Sequence, residues 1–112
     1  MPVFAQCISR IAATYTRAGL EPNMGSKLYA AFRAGGLAPE LFRFTRAGAA
    51  DVAGGEFLVE SVKSLLPVME KVGVATAAEV DIATLFDRLT AEATAVDGCI
   101  FYPRLVGAWS RT

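Results

Sequence analysis

The sequence predicts one α+β domain, built from four helices and a small antiparallel sheet. Four segments repeat apolar residues every three or four positions, which is the period of an amphipathic helix. Phe42 and Phe44 alternate with polar residues, which is the period of a strand with one buried face. The closing residues are rich in strand-forming side chains and include the only tryptophan, Trp109. The predicted order is helix, helix, strand, helix, helix, strand.

The first half of the chain holds two of the predicted helices. The first covers about residues 4–18 and ends at Gly19, which is suited to the position after a helix. Its apolar stripe comprises Ile8, Ile11, Ala12 and Tyr15. The second is predicted to have Asn23 as its N-cap and to end at Gly35 and Gly36. Its inward side would carry Met24, Leu28, Ala31 and Phe32.

The second half holds the other two helices. Helix three is predicted over residues 57–72, and Pro67 within it predicts a kink or a break. Its stripe comprises Leu58, Val62, Leu65, Leu66 and Met69. Thr76 and Glu79 have the spacing of a capping box, which begins helix four or a short turn before it. The next stripe comprises Ile82, Leu85, Phe86, Leu89, Ala93 and Val96, and Gly98 closes it.

Two connecting features limit the sheet. Residues 47–56 are mostly small, and Gly54 and Gly55 predict a flexible hinge there. Pro103 interrupts the closing strand and marks an edge position or a bulge, because proline cannot donate to a strand ladder. Only two strands are recognisable, and a two-stranded ribbon is marginally stable alone.

Composition excludes several classes of protein. A chain of 112 residues makes one domain at most, and a hydrophobic content of 54% predicts that some apolar surface faces a partner. Eleven basic and eleven acidic side chains form no basic stripe, so a nucleic-acid partner is not expected. No apolar run is long enough to span a membrane, and the first residues lack the features of a signal peptide. We therefore expect a cytoplasmic protein.

The titratable residues narrow the chemistry further. The sequence has no histidine, which argues against a hydrolase triad and against a zinc site. Cys7 and Cys99 are expected to be buried, reduced and unlinked, because no secretory signal precedes them. No catalytic, cofactor-binding or metal-binding residue is predicted.

Two motifs resemble class I S-adenosylmethionine-dependent methyltransferases. "GSKLYAAFRAGGL" resembles the segment G-x-x-L-x-x-x-F-x-x-A-G-L that leads into the sixth strand of that fold, and "PELFRFTRAG" resembles the sixth strand itself. The ending "PRLVGAWSR" resembles the P-x-L-V-G-A-W-x-R finish of a branch with two helices inserted before the last strand. The resemblance implies that this chain is the C-terminal part of a Rossmann-like methyltransferase. Its last strand would then run antiparallel between the fifth and sixth strands.

The same resemblance implies that the cofactor half of the fold is absent. No strand followed by a glycine-rich turn is present, nor an acidic residue placed to hold a ribose. Residues 1–112 would form a single partial domain, whether as a shortened chain, a proteolytic remnant or a natural half-length protein. The family's cofactor is S-adenosylmethionine, which this chain alone is not expected to bind. Its partner would be the missing N-terminal half or a second copy in a homodimer.

Four residues are candidates for covering a substrate. Tyr15 lies on the helix that borders the active site in the resembled family, and Phe57, Leu58 and Met69 lie on the inserted helices. These side chains would form part of a lid over an apolar substrate, and the alternative is that they are ordinary core. Trp109 could line a pocket, but a lone tryptophan on a terminal strand is more often a core anchor. The alternative function is a non-enzymatic module that dimerises.

The charged residues fit simpler roles. Glu60 and Lys63 have the spacing of a solvated ion pair on a helix. A second solvated face is predicted from Asp87, Arg88 and Glu92. The arginines that flank the first strand, which are expected to shield a sheet edge, are Arg33, Arg43 and Arg46.

Overall fold

The chain folds as a mixture of helices and short antiparallel strands. The computed structural model describes residues 1–45, 47–49, 53–101 and 105–112. The helices are α1 (Pro2–Arg17), α2 (Met24–Ala34), α3 (Ala53–Lys71), α4 (Ala77–Val80) and α5 (Ile82–Ala95). The strands are β1 (Glu40–Phe44), β2 (Ala47–Ala49), β3 (Cys99–Phe101) and β4 (Leu105–Trp109). The predicted α+β class is confirmed, with one extra single-turn helix and two extra strands.

The core lies where α1, α3 and α5 pack on one another. Met69, Leu89, Ala93 and Ile100 are fully buried at its centre. The other buried apolar side chains are Cys7, Leu58, Val62, Ala75, Val80 and Leu85. The stripe predicted for α3 is confirmed, because Leu65 and Leu66 also pack against this cluster.

The first helix buries a different face from the predicted one. Cys7 and Thr14 are its buried residues, whereas Ile8, at the start of the predicted stripe, is 39% exposed. Val3, Phe4 and Ile11 pack partly against the core. Helix α1 is therefore apolar on two adjacent faces, and the core covers only one of them.

Helix α2 lies on the sheet and outside the main core. It has no fully buried residue, so the predicted inward side is only partly covered, and Met24 is an exposed side chain. Asn23 is at the N-cap position, but its side chain makes no capping hydrogen bond. Instead its N–H donates to Oε1 of Glu21 over 2.9 Å. A β-carbon at Gly25 would lie 2.9 Å from Cγ2 of Val106, so this glycine permits the close approach of α2 to β4.

Helix α3 is longer than predicted and runs on past its proline. Pro67 lies inside the continuous helix Ala53–Lys71, so the break into two helices was wrong. The predicted loop and hinge at residues 47–56 were also wrong, because β2 and the first turn of α3 occupy most of that stretch. Gly55 is buried in the helix, and a β-carbon there would lie 3.2 Å from the Phe86 ring.

The capping box at the start of α4 is confirmed. Thr76 Oγ1 accepts from the N–H of Glu79 over 3.2 Å, and the Glu79 carboxylate accepts from the N–H of Thr76. Asp81 then adopts a left-handed conformation that separates α4 from α5. On α5, Leu85, Leu89 and Ala93 are buried as predicted. Val96 is not, since the helix ends before it and the side chain is 64% exposed.

The face of α5 predicted to be solvated carries tertiary hydrogen bonds instead. Glu92 accepts from the N–H of Val3 over 2.8 Å and from that of Phe4 over 3.1 Å, and both groups lie in the first turn of α1. Arg88 donates to the carbonyl of Val80 over 2.7 Å, at the end of α4. Asp87 alone of the three is exposed. The prediction was wrong because local spacing does not reveal a partner almost ninety residues away.

The strands form two separate two-stranded antiparallel sheets. In the first sheet β1 pairs with β4, and in the second β2 pairs with β3. The partners across the first sheet are Glu40 with Trp109, Leu41 with Ala108, Phe42 with Gly107, Arg43 with Val106, and Phe44 with Leu105. We call this β1–β4 sheet the ribbon. Pro103 and Arg46 lie outside the described residues.

Candidate functional site

A groove of about 610 Å³ runs between α1 and α3. The start of α2 and the segment before it close one side, and Leu105 of β4 also contributes. The α1 side presents Ile8, Ile11, Ala12 and Tyr15; the α3 side presents Phe57, Leu58, Ser61, Ser64 and Leu65; and residues 21–25 complete the lining. We call this feature the α1–α3 groove.

The groove exists because two amphipathic helices present more apolar surface than the core uses. All four residues of the stripe predicted for α1 line the groove. On α3, Leu58 belongs to the core and also reaches the groove, whereas Phe57 remains 41% exposed. Apolar side chains left in contact with water favour any arrangement that covers them. The groove is therefore a concave and largely apolar surface.

The structure brings three of the four candidate substrate-covering residues together. Tyr15, Phe57 and Leu58 line the α1–α3 groove. Met69 does not, because it is fully buried in the core and has no surface to offer a ligand. For Met69 the alternative interpretation, ordinary core, holds.

Sequence reasoning missed several residues of the groove. Met24 was assigned to the inward side of a helix, and Leu105 was not singled out. Ser61 and Ser64 are polar positions beside the apolar stripe of α3, which is the signal that could have found them. Their hydroxyls donate to the carbonyls of Phe57 and Ser61 over 2.8 and 2.9 Å.

One ion pair lies at the rim of the groove. Lys27 Nζ and Glu21 Oε2 are 2.6 Å apart, and the N–H of Asn23 donates to the other carboxylate oxygen. These hydrogen bonds, that of Lys27 foremost, lower the pKa of the Glu21 carboxyl. Glu21 therefore stays ionised near neutral pH, and its charge is paired with that of Lys27. The pair predicted from Glu60 and Lys63 does not form among the described residues, where both side chains are exposed.

The outer face of the ribbon is a second apolar surface. Side chains alternate across a strand, so Phe42, Phe44, Leu105 and Trp109, with Glu40 at one end, share the face opposite Val106, which packs against α2. Phe42 and Phe44 are each 54% exposed, and their rings stack with centroids 6.5 Å apart. The Phe42 ring lies directly over Gly107, where a β-carbon would overlap it. The buried face predicted for β1 was therefore wrong, since all five of its residues are exposed.

Trp109 is also not the predicted core anchor. Its side chain is 46% exposed at the end of β4, on the outer face of the ribbon. Strand β4 pairs only with β1 among the described residues, so its other edge is open. Leu105–Trp109 carries no charge and no proline, the usual protections of an open edge.

The two thiols differ in their surroundings. Cys7 is buried, and this burial raises the pKa of its thiol. Cys99 is exposed on β3, so the expectation that both are buried was wrong for this residue. Both are free thiols. Within the described ranges, no three histidine, cysteine or acidic residues are grouped so that they could hold a metal ion.

The comparisons with known proteins do not assign the chain to a family. No protein family matches it, and neither the curated proteins nor the solved structures give a match. No helix within the described part of the chain has the length and apolar character to cross a membrane.

Proposed function

We propose that this chain is the C-terminal segment of an S-adenosylmethionine-dependent methyltransferase that acts on a small molecule. It supplies the edge of the central sheet and part of the substrate cover, and it is inactive alone. The observation that carries the proposal is the antiparallel pairing of β1 with β4, the two segments whose sequences resemble the sixth and last strands of that family. The pairing links residues that lie more than sixty positions apart, so it is a feature of the tertiary fold.

The open edge and the uncovered face support the same proposal. In the resembled fold the last strand has a second neighbour, whereas β4 pairs only with β1 among the described residues. Helices cover both faces of that sheet, whereas α2 covers only one face of the ribbon here. The N-terminal half would supply the second neighbour, the second layer and the methyl-donor site.

Calorimetric titration with S-adenosylmethionine tests the proposal. We expect no binding at micromolar concentration to the 112-residue chain, because no glycine-rich turn or ribose-holding acid is present. A longer form that includes the upstream half should bind it with a Kd of about 1 μM, or about −8 kcal/mol. Micromolar binding by the short chain, or none by the longer form, would contradict the proposal.

The ribbon favours one alternative, a non-enzymatic module that forms a homodimer. An open, uncharged edge strand beside an exposed apolar face is a template for pairing with a second chain. A two-fold arrangement closes such contacts without filament growth.

Light scattering during size-exclusion chromatography distinguishes the alternative. A dimer has twice the 11.9 kDa mass of one chain. Trp109→Lys on the ribbon should return the measured mass to that of one chain. Tyr29→Lys is the matched control, because Tyr29 is exposed to a similar extent but lies on α2. A monomeric mass at micromolar concentration, or equal effects of the two substitutions, would exclude this module.

A further inference from the structure

We propose that the α1–α3 groove binds an uncharged, largely apolar small molecule. This proposal deepens the proposed function, because it names the class of substrate that the groove would bind. Calling the bound molecule a substrate rests on the proposed function. The binding itself depends only on residues of this chain, so it can be measured without a methyl donor.

The groove leaves apolar surface in contact with water. Ile8, Met24, Phe57 and Leu105 all line it, and each is at least 39% exposed. These four residues come from three helices and one strand, and together they line the same concave groove. Scattered exposed apolar residues are ordinary, but a contiguous concave group marks a binding site.

The size of the groove fits a small molecule. A volume of about 610 Å³ lies within the range of about 300–1,000 Å³ typical of sites for small molecules. Residues 21–25, before and at the start of α2, line one side of it.

The charge of the groove lining favours an uncharged ligand. Among the described residues that line the groove, Glu21 alone carries a charge, and Lys27 and the N–H of Asn23 already satisfy its carboxylate. An anionic ligand would find no cation in that lining, and burying an unpaired charge is costly. An uncharged ligand meets no such penalty.

Three hydroxyl groups line the groove. Ser61 and Ser64 already donate their protons to backbone carbonyls, so their oxygens can only accept from a ligand. The backbone carbonyl of Tyr15 accepts from the N–H of Leu20, but its hydroxyl has no hydrogen-bond partner among the described residues and can donate to or accept from a ligand. The groove therefore suits an apolar molecule with one polar group, such as an alcohol or a phenol.

Nile red, an uncharged dye that fluoresces in apolar surroundings, is the probe for the first experiment. We expect saturable binding, weakened about tenfold or more by Ser61→Trp, which fills the groove. Glu60→Trp, next to it on α3 but outside the groove, is the matched control and should leave binding unchanged. Circular dichroism checks that each variant is folded.

A second pair of variants tests the opposite wall. Ile8→Lys should weaken dye binding, because it puts a charge in the groove, whereas Ser9→Lys on the exposed side of α1 should not. Equal effects within either pair would overturn the proposal. Loss of binding in Trp109→Lys but not in Ser61→Trp or Ile8→Lys would place the dye on the ribbon and would also overturn it.

Competition identifies the charge of the preferred ligand. Dodecanol should displace the dye more effectively than dodecanoate, which has the same chain length and a negative charge, below the concentration at which either aggregates. Equal or better competition by dodecanoate would overturn the proposal. Failure of S-adenosylmethionine to bind any longer form would remove the proposed methyltransferase and leave this result standing.

Discussion

Leu89→Ala lowers the free energy of unfolding by about 2–5 kcal/mol. Leu89 is fully buried on α5 at the centre of the α1, α3 and α5 core. Truncation removes buried apolar surface and leaves a cavity that rigid helices cannot fill completely. Chemical denaturation followed by circular dichroism measures the loss.

Val96→Ala is the matched control for that substitution. Both residues belong to the apolar stripe predicted from the sequence, but Val96 is 64% exposed just past the end of α5. We expect a change within about 0.5 kcal/mol, as for most surface substitutions. Similar losses for the two variants would show that the end of α5 is packed differently from the structure.

Glu92→Ala lowers the free energy of unfolding by about 1–3 kcal/mol. The first N–H groups of a helix have no partners within the helix, and no side chain at the N-cap Met1 supplies one for α1. Glu92 reaches from α5 to accept from Val3 and Phe4, and its negative charge also suits the positive end of the helix dipole. Denaturation gives the free energy, and amide hydrogen exchange at these two residues should become faster.

Two further variants distinguish the loss of the helix cap from the effect that removing any acidic side chain has on the free energy of unfolding. Glu92→Gln keeps one accepting oxygen without the charge, so its free energy of unfolding should fall between those of the wild type and Glu92→Ala. Glu60→Ala removes an exposed glutamate of α3 and should change stability by about 0.5 kcal/mol or less. A loss in Glu60→Ala as large as in Glu92→Ala would argue against the cap.

The cap also bears on the groove. Helix α1 forms one wall of the α1–α3 groove, and Glu92 fixes the first turn of that helix to α5. The Glu92 carboxylate therefore fixes the α1 wall of the groove to the core. The proposed ligand site depends on residues that do not touch the ligand.

The sequence by itself determined the helices and the faces that carry their apolar residues. The stripe on α3, the buried Leu85 and Leu89 on α5, and the capping box at Thr76 were all correct, because each depends on residues within a few turns of one another. Local periodicity is enough for these features, since it reports the geometry of a single helix. The site candidates Tyr15, Phe57 and Leu58 were named instead from the methyltransferase resemblance, and all three line the groove.

The tertiary structure alone decided which apolar faces are covered. Periodicity shows that a face is apolar, but burial needs a neighbour, and the neighbour of Ile8 or Trp109 is absent from the described chain. Likewise Glu92 looked like a solvated acid until folding placed it beside the N-terminus of α1. The pairing of β2 with β3 joins strands about fifty residues apart. These features depend on contacts between distant segments, and no local pattern encodes such contacts.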